Sequence, residues 1–131
     1  MTKGVQRRGR FFWLALFWAA LLFYLHVLPG DDLLVGGWWL KYHMDKVAHA
    51  GMFSILYVLL FFHYKNRFNQ VKRSRIMAGL VIVFYGAILE WIQGAFIPGR
   101  ITDLWDFFAD IAGIPVGIVI IALICRKSKS E

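Results

Sequence analysis

The chain has 131 residues, enough for one domain. Its composition, 60% hydrophobic and 18% aromatic, excludes an ordinary water-soluble domain, because a core of that size could not conceal so much apolar side chain. The formal charge of +7 would suit a nucleic-acid partner, but the Lys and Arg residues fall in short runs between apolar stretches, as flanks of membrane spans do. No nucleic-acid partner is expected, and the single cysteine, Cys125, excludes an intramolecular disulfide and any multi-Cys metal site.

A helix rises about 1.5 Å per residue, so a hydrocarbon core of about 30 Å takes roughly 20 residues to cross. The first stretch that qualifies is Phe11 to Leu28, preceded by Lys3, Arg7, Arg8 and Arg10. It has the outline of a secretory signal, but the apolar run is long and Leu28-Pro29-Gly30-Asp31-Asp32 offers no small-x-small cleavage site, so it reads as a retained span. Next comes Leu33-Leu34-Val35-Gly36-Gly37-Trp38-Trp39-Leu40, too short to span and rich in tryptophan, which predicts an interfacial or re-entrant segment. The second span is predicted over Val47 to Tyr64, the third over Ile76 to Ile97 and the fourth over Leu104 to Cys125. No run alternates over the roughly ten residues of a barrel strand. The predicted class is therefore an all-α membrane protein with four transmembrane helices, forming a single domain over 1–131.

Basic residues orient it. The N-terminal segment, the connection between spans two and three (Lys65, Arg67, Lys72, Arg73, Arg75) and the tail (Arg126, Lys127, Lys129) hold twelve, against three (Lys41, Lys46, Arg100) in the other two connections. The positive-inside rule then predicts that both termini are cytoplasmic.

With that orientation the polar residues collect near the outer face. Asp45, Lys46 and His49 open span two, Glu90 and Gln93 lie in the outer part of span three, Arg100 stands in the turn, and Asp103, Asp106 and Asp110 open span four. By rise per residue, Glu90 and Asp110 both lie roughly 10 Å below the outer boundary. Helical phase places Asp103, Asp106, Asp110, Gly113 and Gly117 within an arc of about 80° on span four. Gly79, Gly86, Glu90 and Gln93 fall within about 60° on span three. Gly113-x-x-x-Gly117 is the small-xxx-small arrangement of packed membrane helices. The polar stripes and packing faces coincide, which predicts a shared polar pocket opening outward. A carboxylate at mid-bilayer costs about 2.5 to 3.5 kcal/mol on insertion scales. Glu90 and Asp110 are therefore expected to share a proton, hold a cation, or pair with His49, Lys46 or Arg100.

The ordered set Asp45-Lys46-x-x-His49, Glu90-x-x-Gln93, Pro98-Gly99-Arg100-x-x-Asp103-x-x-Asp106 and Gly113-x-x-x-Gly117 resembles the VanZ-like family. The likeness covers residues 45 to 117. It departs from the family at Asp110, where the usual residue is Asn. The resemblance implies a bacterial cytoplasmic-membrane protein of the cell envelope, whose namesake is associated with low-level resistance to the glycopeptide teicoplanin.

Two functional readings follow, beside a purely structural one. The first is a binding or protective protein at the outer leaflet, in contact with membrane lipids and engaging a lipid-linked cell-wall intermediate or a lipophilic glycopeptide. Its ligand-binding candidates are Asp45, Lys46, His49, Glu90, Gln93, Arg100, Asp103, Asp106 and Asp110, and no cofactor is required. The second is a membrane-embedded hydrolase or transferase acting on a lipid. There Glu90, Asp106, Asp110 and His49 would be the catalytic candidates, as acid and base groups or as ligands of a divalent metal. No Gly-x-Ser-x-Gly or His-Glu-x-x-His motif is present, and Ser54, the one serine within a predicted span, lies on the wrong face relative to His49. In the structural reading, Asp45 and His49 form an interfacial pair, Arg100 and Asp103 clamp a turn, and Glu90 ties two helices. Lys46 and His63, taken singly, have their simplest role as side chains reaching for the interface.

Overall fold

The computed structural model describes residues 2–28 and 44–128, with side chains from Gly9 onward in the first helix. The predicted interfacial segment, Leu33 to Leu40, lies outside the described residues, as do Lys41 and Lys129. Four helices make up the rest: α1 (Thr2–Val27), α2 (Asp45–Phe68), α3 (Val71–Phe96) and α4 (Leu104–Lys127). All four contain stretches long and apolar enough to cross a membrane. A helix is the natural solution in hydrocarbon because it satisfies every interior backbone group within its own segment. Large apolar side chains point outward, among them Trp13, Phe17, Phe84, Trp91, Trp105 and Leu123. Water would oppose such a surface and lipid would not, so the fold is that of a multi-pass membrane protein.

The helices run past the predicted spans. Lys65 and Arg67 ride on the last turn of α2, and Lys72, Arg73 and Arg75 on the first turns of α3, so the expected basic loop is reduced to Asn69-Gln70. Asn69 makes that reversal by adopting the left-handed region at φ 53°, its N–H donating to the Lys65 carbonyl at 2.9 Å. Asn tolerates this conformation better than most L-residues. Because α3 begins at Val71, Ser74 is also a helical serine, its hydroxyl turned back onto the Gln70 carbonyl.

Successive helices are antiparallel. The C-terminal parts of α1 and α3 meet the N-terminal parts of α2 and α4 at one end of the bundle, while Phe11 of α1 stacks on Phe62 of α2 near the other, with ring centroids 5.3 Å apart. The core between them holds Leu22, Phe53, Leu56, Tyr57, Ile82 and Leu89. Two aromatic donors fasten α1 to its neighbours: Trp18 Nε1 donates to the Met52 carbonyl (2.9 Å) and the Tyr85 hydroxyl to that of Ala19 (2.5 Å).

The pair α2–α4 packs most intimately, and glycine is the reason. A Cβ at Gly113 would stand 2.8 Å from the Ser54 amide nitrogen and 2.9 Å from the Phe53 carbonyl carbon. One at Gly117 would stand 2.6 Å from the Tyr57 ring. The small-xxx-small stripe thus lets the α2 backbone lie directly on α4. Gly79 has no such role, since its Cβ would meet only Ile114, at an ordinary 3.9 Å.

Candidate functional site

The polar end of the bundle is assembled from the neighbouring ends of all four helices. In α4, Asp103 is the N-cap: its Oδ1 accepts from the Trp105 amide at 2.9 Å, satisfying a donor the helix leaves unpaired. Its own N–H points back to Glu90 Oε2 of α3 at 3.4 Å. One and two turns further along, Asp106 and Asp110 face into the bundle, at 8% and 0% exposure. Gly86 of α3 clears the space for Asp110, because a Cβ there would lie 3.1 Å from Asp110 Oδ2.

From α2 come Asp45, Lys46 and His49. The Lys46 ammonium donates to Asp103 Oδ2 at 2.9 Å and to Asp106 Oδ1, bridging the first turn of α4. Lys46 is therefore engaged by two acids rather than simply reaching for the interface. The lysine's hydrogen bond holds the Asp103 carboxyl below the usual carboxylate range. The expected Arg100–Asp103 clamp is not formed, and Lys46 takes the aspartate instead. Arg100 is half-buried, and its Nε has no hydrogen-bond partner among the described residues. His49 Nδ1 lies 2.8 Å from Asp110 Oδ1, while its Nε2 lies 3.8 Å from Asp45 Oδ1, one helical turn earlier.

The fourth contributor is His26, at the end of α1, which was not among the residues expected at the site. It is 3% exposed, and its ring lies edge-on to His49 with centroids 5.1 Å apart. Its Nδ1 contacts the Leu22 carbonyl at 2.7 Å, and its own carbonyl accepts from Gln93 Nε2 at 3.1 Å. Gln93 thus satisfies a carbonyl that a helix C-terminus leaves free. One signal in the sequence could have found His26: it is the last ionisable residue of the first span, at the end where the other polar groups gather.

His26, His49, Glu90 and Asp110, all buried, each offer one ligand atom, and these four atoms lie within 4.8 Å of one another. Asp45, His49 and Asp106 form a second such group, more open because Asp45 is exposed. Three atoms of the first group's residues, His26 Nε2, Glu90 Oε1 and Asp110 Oδ2, are buried without a hydrogen-bond partner among the described residues. Ser54 takes no part, since its hydroxyl donates to the Gly51 carbonyl at 2.7 Å. His63 lies against Phe12, whose helix end is remote from this site.

Comparison with family models, curated proteins and solved structures returned no match.

Proposed function

We propose that the polar end of the bundle is a binding site at the outer leaflet of a bacterial cytoplasmic membrane, with both termini inside, and that its ligand is a lipid-linked component of the cell envelope. The observation that carries this is the set of buried, unpartnered acceptors on Glu90, Asp110 and His26. Polar groups that merely fastened helices together would spend these atoms on one another, because a buried acceptor without a partner costs about 1 to 3 kcal/mol. Interhelical hydrogen bonds in membranes return only about 0.6 kcal/mol on average. Acceptors left in this state fit a ligand that brings donors or positive charge.

The rim adds the complementary chemistry. The Arg100 Nε–H has no partner among the described residues, and Lys46 stands 30% exposed at its side chain. Both suit the phosphate of a lipid headgroup. A lipid-linked sugar phosphate would supply an anion to this rim and hydroxyl donors to the acids beneath. The resemblance to VanZ-like proteins agrees with a role at the envelope, and a lipophilic glycopeptide such as teicoplanin is the other ligand of that description. A second reading, a metal-dependent hydrolase or transferase acting on a lipid, draws on the grouped imidazoles and carboxylates.

Single replacements Glu90→Ala, Asp106→Ala and Asp110→Ala test the reading when membrane abundance and teicoplanin sensitivity are scored together. Normal abundance with lost protection is the expected result. A fall in abundance that accounts for the whole phenotype would return these residues to a structural role. Release of product from a labelled lipid-linked precursor, abolished by a chelator, would favour the enzyme. Ile101→Cys, in a Cys125→Ala background, should react with a membrane-impermeant maleimide from outside, and labelling only after lysis would reverse the orientation.

A further inference from the structure

We infer that His26, His49, Glu90 and Asp110 together bind one divalent transition-metal ion, of the zinc or manganese class, within the polar end of the bundle. The inference deepens the reading of a ligand-taking site, and rests on it only in treating the unpartnered atoms as awaiting a ligand. It does not require that a lipid headgroup bind.

Three independent features carry it. The first is position. Four helices each deliver one donor, and the four ligand atoms already fall within 4.8 Å of one another. Around a tetrahedral ion with bonds of roughly 2.0 to 2.2 Å, donors stand about 3.4 Å apart, so side-chain adjustment of an ångström or so completes the shell. The second is the state of those atoms. His26 turns Nδ1 to the Leu22 carbonyl at 2.7 Å, which fixes the proton on that nitrogen and leaves the Nε2 lone pair buried and without a partner among the described residues. A ring nitrogen anchored to a backbone carbonyl with its opposite nitrogen free is the usual arrangement of a metal-ligating histidine. Glu90 Oε1 and Asp110 Oδ2 are free likewise, while their other oxygens meet the Asp103 amide and the His49 ring. His26, Glu90 and Asp110 thus each have one atom held by the protein and one available, and His49 meets the cluster at Nδ1, 2.8 Å from Asp110 Oδ1.

The third feature is charge. With both carboxylates ionised and both imidazoles neutral, as a metal would require, the cluster would carry −2, and burying that charge in a membrane bundle is costly unless a cation balances it. A divalent ion brings the cluster to neutrality. The mixed nitrogen and oxygen donors decide which ion. Magnesium and calcium prefer all-oxygen shells, whereas imidazole with carboxylate suits zinc, manganese and ferrous iron. Beyond the ligands, Asp45 lies 3.8 Å from His49 Nε2 and is available to orient that ring.

The test uses the full chain in lipid nanodiscs, stripped with chelator, desalted, and reloaded with Zn²⁺, Mn²⁺ or Mg²⁺. Elemental analysis should find about one Zn²⁺ or Mn²⁺ per chain and no retained Mg²⁺. His26→Ala and Glu90→Gln should each weaken Zn²⁺ binding by at least about tenfold, while His63→Ala, at the far end of the bundle, leaves it unchanged. Since a variant can fail to fold, the unaltered protein provides its own readout: loading with Co²⁺ should produce the visible absorption of a low-coordinate nitrogen–oxygen site. Folded wild-type protein that retains less than about a tenth of an ion per chain and shows no cobalt band would overturn the inference. Undiminished binding in His26→Ala would overturn it too. A lipid-linked phosphate captured by metal-free protein, with no metal uptake, would sink the metal site and leave the proposed binding function standing.

Discussion

The two ends of this bundle are made from the same four helices and solve the problem of burial in opposite ways. At the end where α2 turns into α3, contacts are aromatic and cationic: Tyr64 stacks on Phe68 with planes 1° apart, and the Arg73 guanidinium lies 4.2 Å over the Phe68 ring. These contacts use groups that are content in an interface, with the apolar body inward and the charge toward water. At the other end, Glu90, Asp110, His26 and His49 are all less than 6% exposed, and three of these four residues keep a buried atom unpartnered. The first end leaves one buried atom of this kind, His63 Nδ1, but has no carboxylate among its buried described residues. The second carries a desolvation cost that packing does not offset, and such a cost persists where a ligand repays it.

The comparison is most strongly tested through the seat that brings the polar end together. Gly113→Leu would drive a side chain into the backbone of Phe53 and Ser54. Overpacking of this kind costs about 3 kcal/mol or more where backbone must move. The expected outcome is loss of monodisperse folded protein in detergent, measured by size-exclusion chromatography. A normal elution profile and melting temperature would mean that the α2–α4 contact is looser than it stands here.

A smaller effect is expected from Lys46→Met, which strands Asp103 and Asp106 beside each other. The pair is part-exposed, with side-chain exposures of 37% and 11%, so the cost lies between surface and buried ion pairs, at about 1 to 2 kcal/mol. It should appear as a lowered thermal midpoint. The Asp103 carboxyl is held below its ordinary range, so its share of the link is present at neutral pH. That share is lost only as pH falls below about 4, where the carboxyl takes up its proton. A difference between wild type and Lys46→Met that vanished already at pH 6 would contradict this assignment.

The smallest effect belongs to the aromatic end. Arg73→Ala removes one cation–π contact, worth about 0.5 to 1 kcal/mol at an exposed site, and should leave ligand or metal binding at the other end unchanged. If it impaired binding as much as Glu90→Gln does, the two ends would not be separate in the way the geometry describes.

Much of the architecture was legible in the sequence because hydropathy is additive along the chain. Each stretch is apolar whatever its neighbours, so the four helices could be located to within a few residues at most ends. The basic flanks were legible for the same reason, though not their form. Lys65, Arg67, Lys72, Arg73 and Arg75 sit on helix extensions because Asn69 closes the turn in two residues, a local backbone property that charge counting does not register. That Glu90 and Asp110 would share a layer followed from rise per residue alone, and in the bundle their ligand atoms lie within 4.8 Å of each other.

Partnership was decided only by the tertiary structure. Counting along the helices put Arg100 next to Asp103, whereas across the bundle Lys46, 57 residues away in sequence, reaches the aspartate first. His26 reads as an ordinary residue at the end of a span until α1 is set against α2 and α3. Its burial beside His49, the lone pair left free on its ring, and the unpartnered oxygens of Glu90 and Asp110 depend on how each helix is rotated and how closely Gly113 lets α2 approach α4. Composition determines that a segment enters the membrane. Which of its faces meets another helix, and what a buried charge finds there, is a property of the packed bundle.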